Sequence, residues 1–204
     1  MTLNDREIKK LISEGKLITN LEDDAQIQPS TVDLRLSKYI SRNRSNGVFW
    51  ERGTMRPIIE PKLEALSYDS EMKDGYVLIE PGEFLLLATK EIIDLPENIM
   101  ATVHGKSSVA RMGIMVECAG LVDAGFDGTI TLEVVNFNSY PVKLYEGMSI
   151  CQIKFEEINP PLNLYSIENG NKYNGQILPT VSKYHENFSI GGETKCMDRM
   201  LKEG

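Results

Sequence analysis

From Gly75 onward the chain breaks into short runs of β-forming residues spaced about 8 to 12 residues apart, with Gly or Pro between them. The runs cover residues 76–80, 83–90, 100–104, 114–117, 129–137, 141–144 and 149–156, and Pro81-Gly82 turns the first into the second. Strands this short cannot bury an apolar face singly, so they must close on one another as a sandwich or barrel. The core is therefore expected to be all-β.

Upstream the periodicity differs. Asn4 with Glu7 three residues later reads as a capping box, Ile8, Leu11 and Ile12 form an i, i+3, i+4 stripe, and Gly15 offers a stop, which predicts one short amphipathic helix. From Thr31 the pattern alternates strictly, with Val32, Leu34 and Leu36 on one face and Thr31, Asp33 and Arg35 on the other, which predicts a half-buried strand. Residues 41–75 are polar and irregular, hold the sole Trp (Trp50), and read as long loops with one short strand at most. Residues 108–112 read as a helical turn between Gly105 and Gly113. The Asn- and Gly-rich segment after Pro160-Pro161, through Gly191-Gly192, reads as a mobile tail.

Composition removes several classes of function. Thirty Asp and Glu against 22 Lys and Arg give a net charge of −8, a poor basis for gripping a nucleic-acid backbone. Hydrophobic residues at 41% and charged residues at 25% suffice for a single folded core in 204 residues. The longest purely apolar stretch, residues 84–88, falls far short of the roughly 20 residues that cross a bilayer. The N-terminus has no apolar leader, so the expected compartment is the cytoplasm. Cys118, Cys151 and Cys196 lack CxxC spacing, and only His104 and His185 could add imidazoles, which favours reduced thiols over a zinc site.

Two segments carry chemistry-bearing residues. His104-Gly105-Lys106-Ser107-Ser108-Val109-Ala110-Arg111 packs cations, hydroxyls and a Gly turn at a strand-to-helix junction; it suits either phosphate binding or an ordinary polar turn. It is not a Walker A loop, because the GxxxxGK[ST] spacing is absent. In the run around residues 129–137, Ile130, Leu132 and Val134 share one face and Glu133 points the other way, between Thr131 and Val135. Inside a barrel or at a subunit interface such a carboxylate is a general acid/base candidate; facing water it is an ordinary strand residue. Asp123 lies in a Gly-rich turn, where capping the turn is its simplest role.

Taken together, Gln28-Pro29-Ser30-Thr31-Val32-Asp33-Leu34-Arg35-Leu36, Gly105 through Arg111, Ala119-Gly120-Leu121-Val122-Asp123-Ala124-Gly125-Phe126 and Ile130-Thr131-Leu132-Glu133 resemble the dCTP deaminase family of the trimeric dUTPase superfamily. The resemblance runs from about Leu3 to Gln176 and leaves the last 28 residues outside it. It implies a distorted jelly-roll β-barrel of dUTPase-like type spanning residues 1–176, a C-terminal tail over 177–204 that is partly mobile, and a homotrimer with active sites between subunits. It also implies deamination without zinc, and this chain lacks the H-x-E and P-C-x-x-C signature of the zinc deaminases.

Carried over position by position, the resemblance makes Glu133 the catalytic carboxylate that takes a proton from water and passes it toward leaving ammonia. Ser107 and Arg111 would place that water and the cytosine ring. Lys106 and Ser108 would bind triphosphate, with Val109 and Ala110 in the same substrate-binding segment. Asp123 would accept from the deoxyribose 3′-hydroxyl, Thr131 and Leu132 would line the base, and Gln152 would lie near the sugar-phosphate. Tyr165, Lys172 and Gln176 would close over the phosphates. Magnesium would arrive on the substrate's triphosphate, and dCTP, dUTP and the inhibitor dTTP are the implied ligands.

Two departures stand out. The family usually has Arg-Ser-Ser where this chain has Lys106-Ser107-Ser108, and Lys offers a point charge instead of a fork. Cys118-Ala119-Gly120 also replaces the Thr-Ala-His-Arg type of segment of single-function deaminases, closer to members that also cleave the triphosphate and to plain dUTPases. The leading expectation is dCTP deamination yielding dUTP, or dUMP plus pyrophosphate. The alternatives are a dUTP diphosphatase without deaminase activity and a non-catalytic nucleotide-sensing barrel; Glu133 argues against the first, where plain dUTPases carry a small apolar residue.

Overall fold

One long strand, β2 (Val32–Asn43), organises the barrel by changing partners along its length. The computed structural model describes residues 1–43, 67–117 and 120–183. In chain order the strands are β1 (Leu17–Ile18), β2, β3 (Ser67–Glu71), β4 (Tyr76–Ile79), β5 (Phe84–Thr89), β6 (Ile93–Asp94), β7 (Ile99–Gly105), β8 (Ile114–Glu117), β9 (Leu121–Val122), β10 (Asp127–Gly128), β11 (Thr131–Asn136), β12 (Val142–Tyr145) and β13 (Ser149–Glu157). The first half of β2 pairs with β13, Asp33 opposite Gln152. Its second half pairs with β5 and β3, after a register shift between Leu36 and Ile40.

The main sheet runs β8-β11-β5-β2-β13-β7-β9, with β3 against β2; β1-β6-β10 and β12-β4 form smaller antiparallel sheets. The main sheet curls until Gly105 on β7 meets β8, where a Cβ would lie 3.1 Å from the Val116 carbonyl. Leu34, Leu36, Leu85, Leu87, Ile114, Leu132 and Phe155 fill the interior, all fully buried. Each such side chain contributes roughly 1.5–3 kcal/mol. Exposed pairs such as Lys38–Glu71 are screened by solvent and add little, so the core dominates.

The expected helix is present as α1 (Asp5–Ser13). The Asn4 side chain accepts from the Arg6 and Glu7 amides, Glu7 Oε2 accepts from the Asn4 amide at 2.9 Å, and Ile8 is fully buried. The strands read after Gly75 appear within two residues of their expected ends. Between residues 41 and 75 the one short strand allowed for is present as β3, from Ser67. Strand β2 also runs on to Asn43 where a loop was expected, because the shift after Leu36 breaks the alternation that marks a strand in sequence. Residues 44–66, with Trp50, and also Cys118, Ala119, His185, Cys196 and Gly191-Gly192, lie outside the described residues. Cys151 is buried. Among the described residues no helix is long and apolar enough to cross a membrane.

The segment after Pro161, expected to be a mobile tail, packs on the barrel as far as it is described. The Tyr165 amide donates to the Ala124 carbonyl at 2.8 Å, the Thr129 amide to the Gln176 carbonyl at 2.8 Å, and the Thr180 amide to Thr131 Oγ1 at 3.2 Å. Glycines permit this approach: at Gly128, φ +139°, a Cβ would lie 2.6 Å from the Gln176 carbonyl oxygen. The polar composition of the segment suggested disorder, but its backbone groups are satisfied by the barrel's.

Candidate active site

The Ser107–Ala110 helical turn joins β7 to β8 and opens at Lys106. The Val109 and Ala110 amides donate to the Lys106 carbonyl at 3.0 Å, and the buried Val109 side chain anchors the turn in the core. Ser107, Ser108, Ala110 and Arg111 are exposed, so two hydroxyls and a guanidinium face outward from one turn. The Lys106 ammonium is ion-paired to the Asp33 carboxylate on β2. Gln152 sits opposite both Asp33 and His104 in the ladder, so it belongs to the same neighbourhood.

Behind Asp33 lies a polar group that the sequence did not reveal. Gln26 Nε2 donates to the Asp33 carbonyl at 2.9 Å and to Glu91 Oε1 at 2.8 Å, and the Arg35 amide donates to Glu91 Oε2 at 2.8 Å. Glu91 is buried, and burial holds its carboxyl above the usual range against the hydrogen bonds that lower it. Its position after the apolar run of β5 carries no local signal, since the partners come from residues 26 and 35.

Glu133 lies on the outer face of β11, opposite Leu86 of β5 and Glu117 of β8. It is half-buried, and its Oε2 is shielded from solvent. The expected split of this strand holds, with Ile130, Leu132 and Val134 in the core and Thr131, Glu133 and Val135 on the other side. The side chain of Leu132, expected to line the base, is fully buried in the core, so only the backbone at that position is left to face a ligand. The Val109 side chain is likewise buried, as the anchor of its turn.

Asp123 and Tyr165, 42 positions apart, meet at one cavity of about 420 Å³, which Met100, Ala124, Asn163 and Asn171 also line. That volume is in the range of small-molecule sites, roughly 300–1,000 Å³. Phe126 packs on Tyr165 with ring centroids 5.7 Å apart. Burial raises the Tyr165 phenol above its usual range, opposed by a hydrogen bond from the Tyr173 backbone, while Tyr173 and Asp123 add repulsion. Gln176 donates from Nε2 to the Thr129 carbonyl at 2.8 Å, while its Oε1 is buried and accepts no hydrogen bond among the described residues. A buried acceptor left this way is costly unless a ligand or water serves it.

The structure thus arranges the candidates in three groups: Lys106, Ser107, Ser108 and Arg111 with Gln152; Thr131 and Glu133 on β11; Asp123 and Tyr165 at the cavity. Lys172 and Gln176 lie on the C-terminal segment that reaches β10 and β11. Among the described residues no three His, Cys, Asp or Glu side chains gather as a metal site.

Comparison with known proteins bears on these groups. A family described as dCTP deaminase-like matches residues 2–158. A "dCTP deaminase, dUMP-forming" of Dictyoglomus thermophilum is 42% identical over 193 residues, covering 92% of this chain and 97% of that protein. One of the same name from Methanosphaera stadtmanae is 40% identical, covering 92% of this chain and 96% of that protein. The crystal structure of 2′-deoxycytidine 5′-triphosphate deaminase from Agrobacterium tumefaciens aligns with a TM-score of 0.60 at 25% identity. It covers 78% of this chain, which spans 48% of that longer chain.

Proposed function

The chain belongs to the dCTP deaminase-like family, and on that premise we propose that it converts dCTP, with two waters, to dUMP, ammonia and pyrophosphate. The observation that carries this reading is the identity of about two residues in five, over more than nine-tenths of the chain, to proteins named as dUMP-forming dCTP deaminases.

Water adds to C4 of the cytosine ring as Glu133 accepts its proton; Glu133 returns a proton to the exocyclic nitrogen, the C4–N bond breaks, and ammonia leaves. Solvent shielding of Glu133 Oε2 and the β-branched neighbours of β11 suit a carboxylate that must exchange protons away from bulk water. Ser107 and Arg111 place the attacking water and the ring. Asp123 accepts from the 3′-hydroxyl and orients a second water toward the α-phosphate, which breaks the bond to the β-phosphate and releases pyrophosphate. Ser108, Gln152, Tyr165, Lys172 and Gln176 hold the sugar-phosphate, and the unserved Gln176 Oε1 supports a ligand beside that residue.

Magnesium enters on the triphosphate. The Lys106 charge is already matched by Asp33, which fits a counter-cation carried by the substrate. The active unit is a homotrimer with sites between subunits, and a cytoplasmic location is part of the same proposal. Phe84, Val135 and Met115 form a row across β5, β11 and β8 on the face of Glu133, and Phe84 and Met115 are 41% and 46% exposed, apolar surface that a neighbouring subunit would cover.

The test is incubation with dCTP and with dUTP separately, with magnesium, scoring ammonia, pyrophosphate and the nucleotide. Expected are dUMP and both small products from dCTP, and loss of turnover when EDTA but not a zinc-selective chelator is added. Accumulated dUTP with no pyrophosphate would leave a deaminase alone; dUMP from dUTP without ammonia from dCTP would leave a dUTP diphosphatase.

A further inference from the structure

A chain of polar contacts ties the turn that carries Ser107 and Arg111 to the strand that carries Glu133. It starts at the Lys106 ammonium, which is paired to the Asp33 carboxylate. The Asp33 carbonyl accepts from Gln26 Nε2 at 2.9 Å, and the second hydrogen of that amide goes to Glu91 Oε1 at 2.8 Å. The Glu91 carbonyl accepts from the Thr89 hydroxyl at 3.0 Å, and the same hydroxyl accepts from the Ile130 amide at 3.0 Å. Ile130 directly precedes β11, three residues before Glu133.

The three side chains in the middle, Gln26, Thr89 and Glu91, are 3%, 1% and 1% exposed. At that depth they act on a ligand only through the segments they hold. A core built for stability alone would place apolar side chains here, since buried polar groups do little more than offset their own desolvation. Gln26 goes further: both amide hydrogens are spent, and its Oε1 is buried and accepts no hydrogen bond among the described residues, which costs stability. Directional hydrogen bonds add what apolar contacts do not, a fixed distance and angle between the groups they join. The groups joined here are the β2 backbone that anchors the Lys106 turn and the entry to the Glu133 strand.

We propose that Gln26, Thr89 and Glu91 are positioning residues that together fix the Lys106–Arg111 turn and the Glu133 strand relative to each other. This rests on the reading of Ser107, Arg111 and Glu133 as the groups that place a water and move its proton. A displacement of about 1 Å in such groups costs up to about 10²-fold in rate. Tyr165, Lys172 and Gln176, read as holding the sugar-phosphate, lie outside the chain of contacts, so loosening it should lower turnover more than affinity.

Thr89 separates shape from hydrogen bonding. Thr89→Val keeps the shape and loses the hydroxyl; it should lower kcat for dCTP deamination about tenfold or more, with KM within about threefold of wild type. Thr89→Ser keeps the hydroxyl and loses a buried methyl; its kcat should stay within about threefold of wild type although its melting temperature falls. Gln26→Met fills similar space without the amide and should lower kcat as Thr89→Val does, and the double variant should lose less than the product of the two single losses. Independently of turnover, amide exchange in Gln26→Met should quicken about tenfold or more at Val109, Ala110 and Arg111, while the β12 amides keep their wild-type rates. A Thr89→Ser as slow as Thr89→Val, or turn amides in Gln26→Met that exchange no faster than in wild type, would overturn the proposal. Wild type that does not deaminate dCTP, with turn amides that still loosen on Gln26→Met, would remove the proposed reaction and leave the positioning role standing.

Discussion

The ammonium of Lys106 is tied to the carboxylate of Asp33, 73 residues earlier in the chain, so the turn bearing Ser107, Ser108 and Arg111 is fastened to β2 by an ion pair. The pair is mostly sheltered, with side-chain exposures of 27% for Lys106 and 12% for Asp33. The lysine that stands where arginine was the usual expectation thus has one ion-pair partner among the described residues, and that pair holds the turn.

Lys106→Met should therefore destabilise the fold by about 1–3 kcal/mol, between the value of an exposed pair and that of a fully buried one. Urea denaturation checks this. A midpoint equal to wild type would mean that the pair does not anchor the turn.

Glu133→Gln should lower deamination about 10²- to 10⁴-fold while nucleotide binding persists, because the amide keeps the shape and cannot accept a proton from water. Activity within about threefold of wild type would remove Glu133 from the mechanism.

Glu91 contributes to stability with a defined sign in pH. Burial raises its carboxyl in the folded chain above the ordinary value of 4.5, so the folded state binds the proton more tightly than the unfolded state. This contribution is complete below the unfolded value and is lost as pH rises through the higher folded value. Glu91→Gln also turns a donor toward either Gln26 Nε2 or the Arg35 amide, which costs about 1–3 kcal/mol at any pH. The melting-temperature gap between wild type and Glu91→Gln should widen on going from pH 7 to pH 4; a gap that narrows would contradict the raised carboxyl.

Gly113 ends the Ser107–Arg111 turn at φ +74°, and a Cβ there would overlap the Asn138 amide. Asn138 Nδ2 donates to the Met112 carbonyl at 2.9 Å and to Asn136 Oδ1 at 2.9 Å, so it has little freedom to withdraw. Gly113→Ala should cost about 1–3 kcal/mol from backbone strain and the displaced amide. Thermal unfolding measures it, and a loss below about 0.5 kcal/mol would show that Asn138 yields.

Light scattering should give three times the mass of one chain, and Met115→Lys, which puts a charge in the apolar row beside Val135, should shift the population toward smaller species. A monomer that still turns over dCTP would exclude a site shared between subunits.

Much of this was legible locally. The capping box at Asn4 and Glu7, the 8-to-12-residue rhythm of strands after Gly75 and the alternation that turns Glu133 away from Leu132 depend on neighbours a few positions apart, and the structure repeats them. Strand β2 beyond Leu36 was not legible, because a register shift moves its apolar residues off the alternating pattern and Ser37 and Ser41 are buried by the ladder. Leu132 shares a motif with Glu133, yet proximity in a motif says nothing about which face a side chain takes, and the two-residue period of a strand sends neighbours apart.

Periodicity and motif order alone settled the all-β class, the opening helix and the family, since these rest on spacing within segments and on the order of segments. Tertiary structure alone decided the Lys106–Asp33 pair, the Gln26–Glu91 group and the cavity that joins Asp123 to Tyr165. Each of these joins side chains through backbone that curls or doubles back, and hydrogen bonds between distant positions leave no periodic trace in the order of residues.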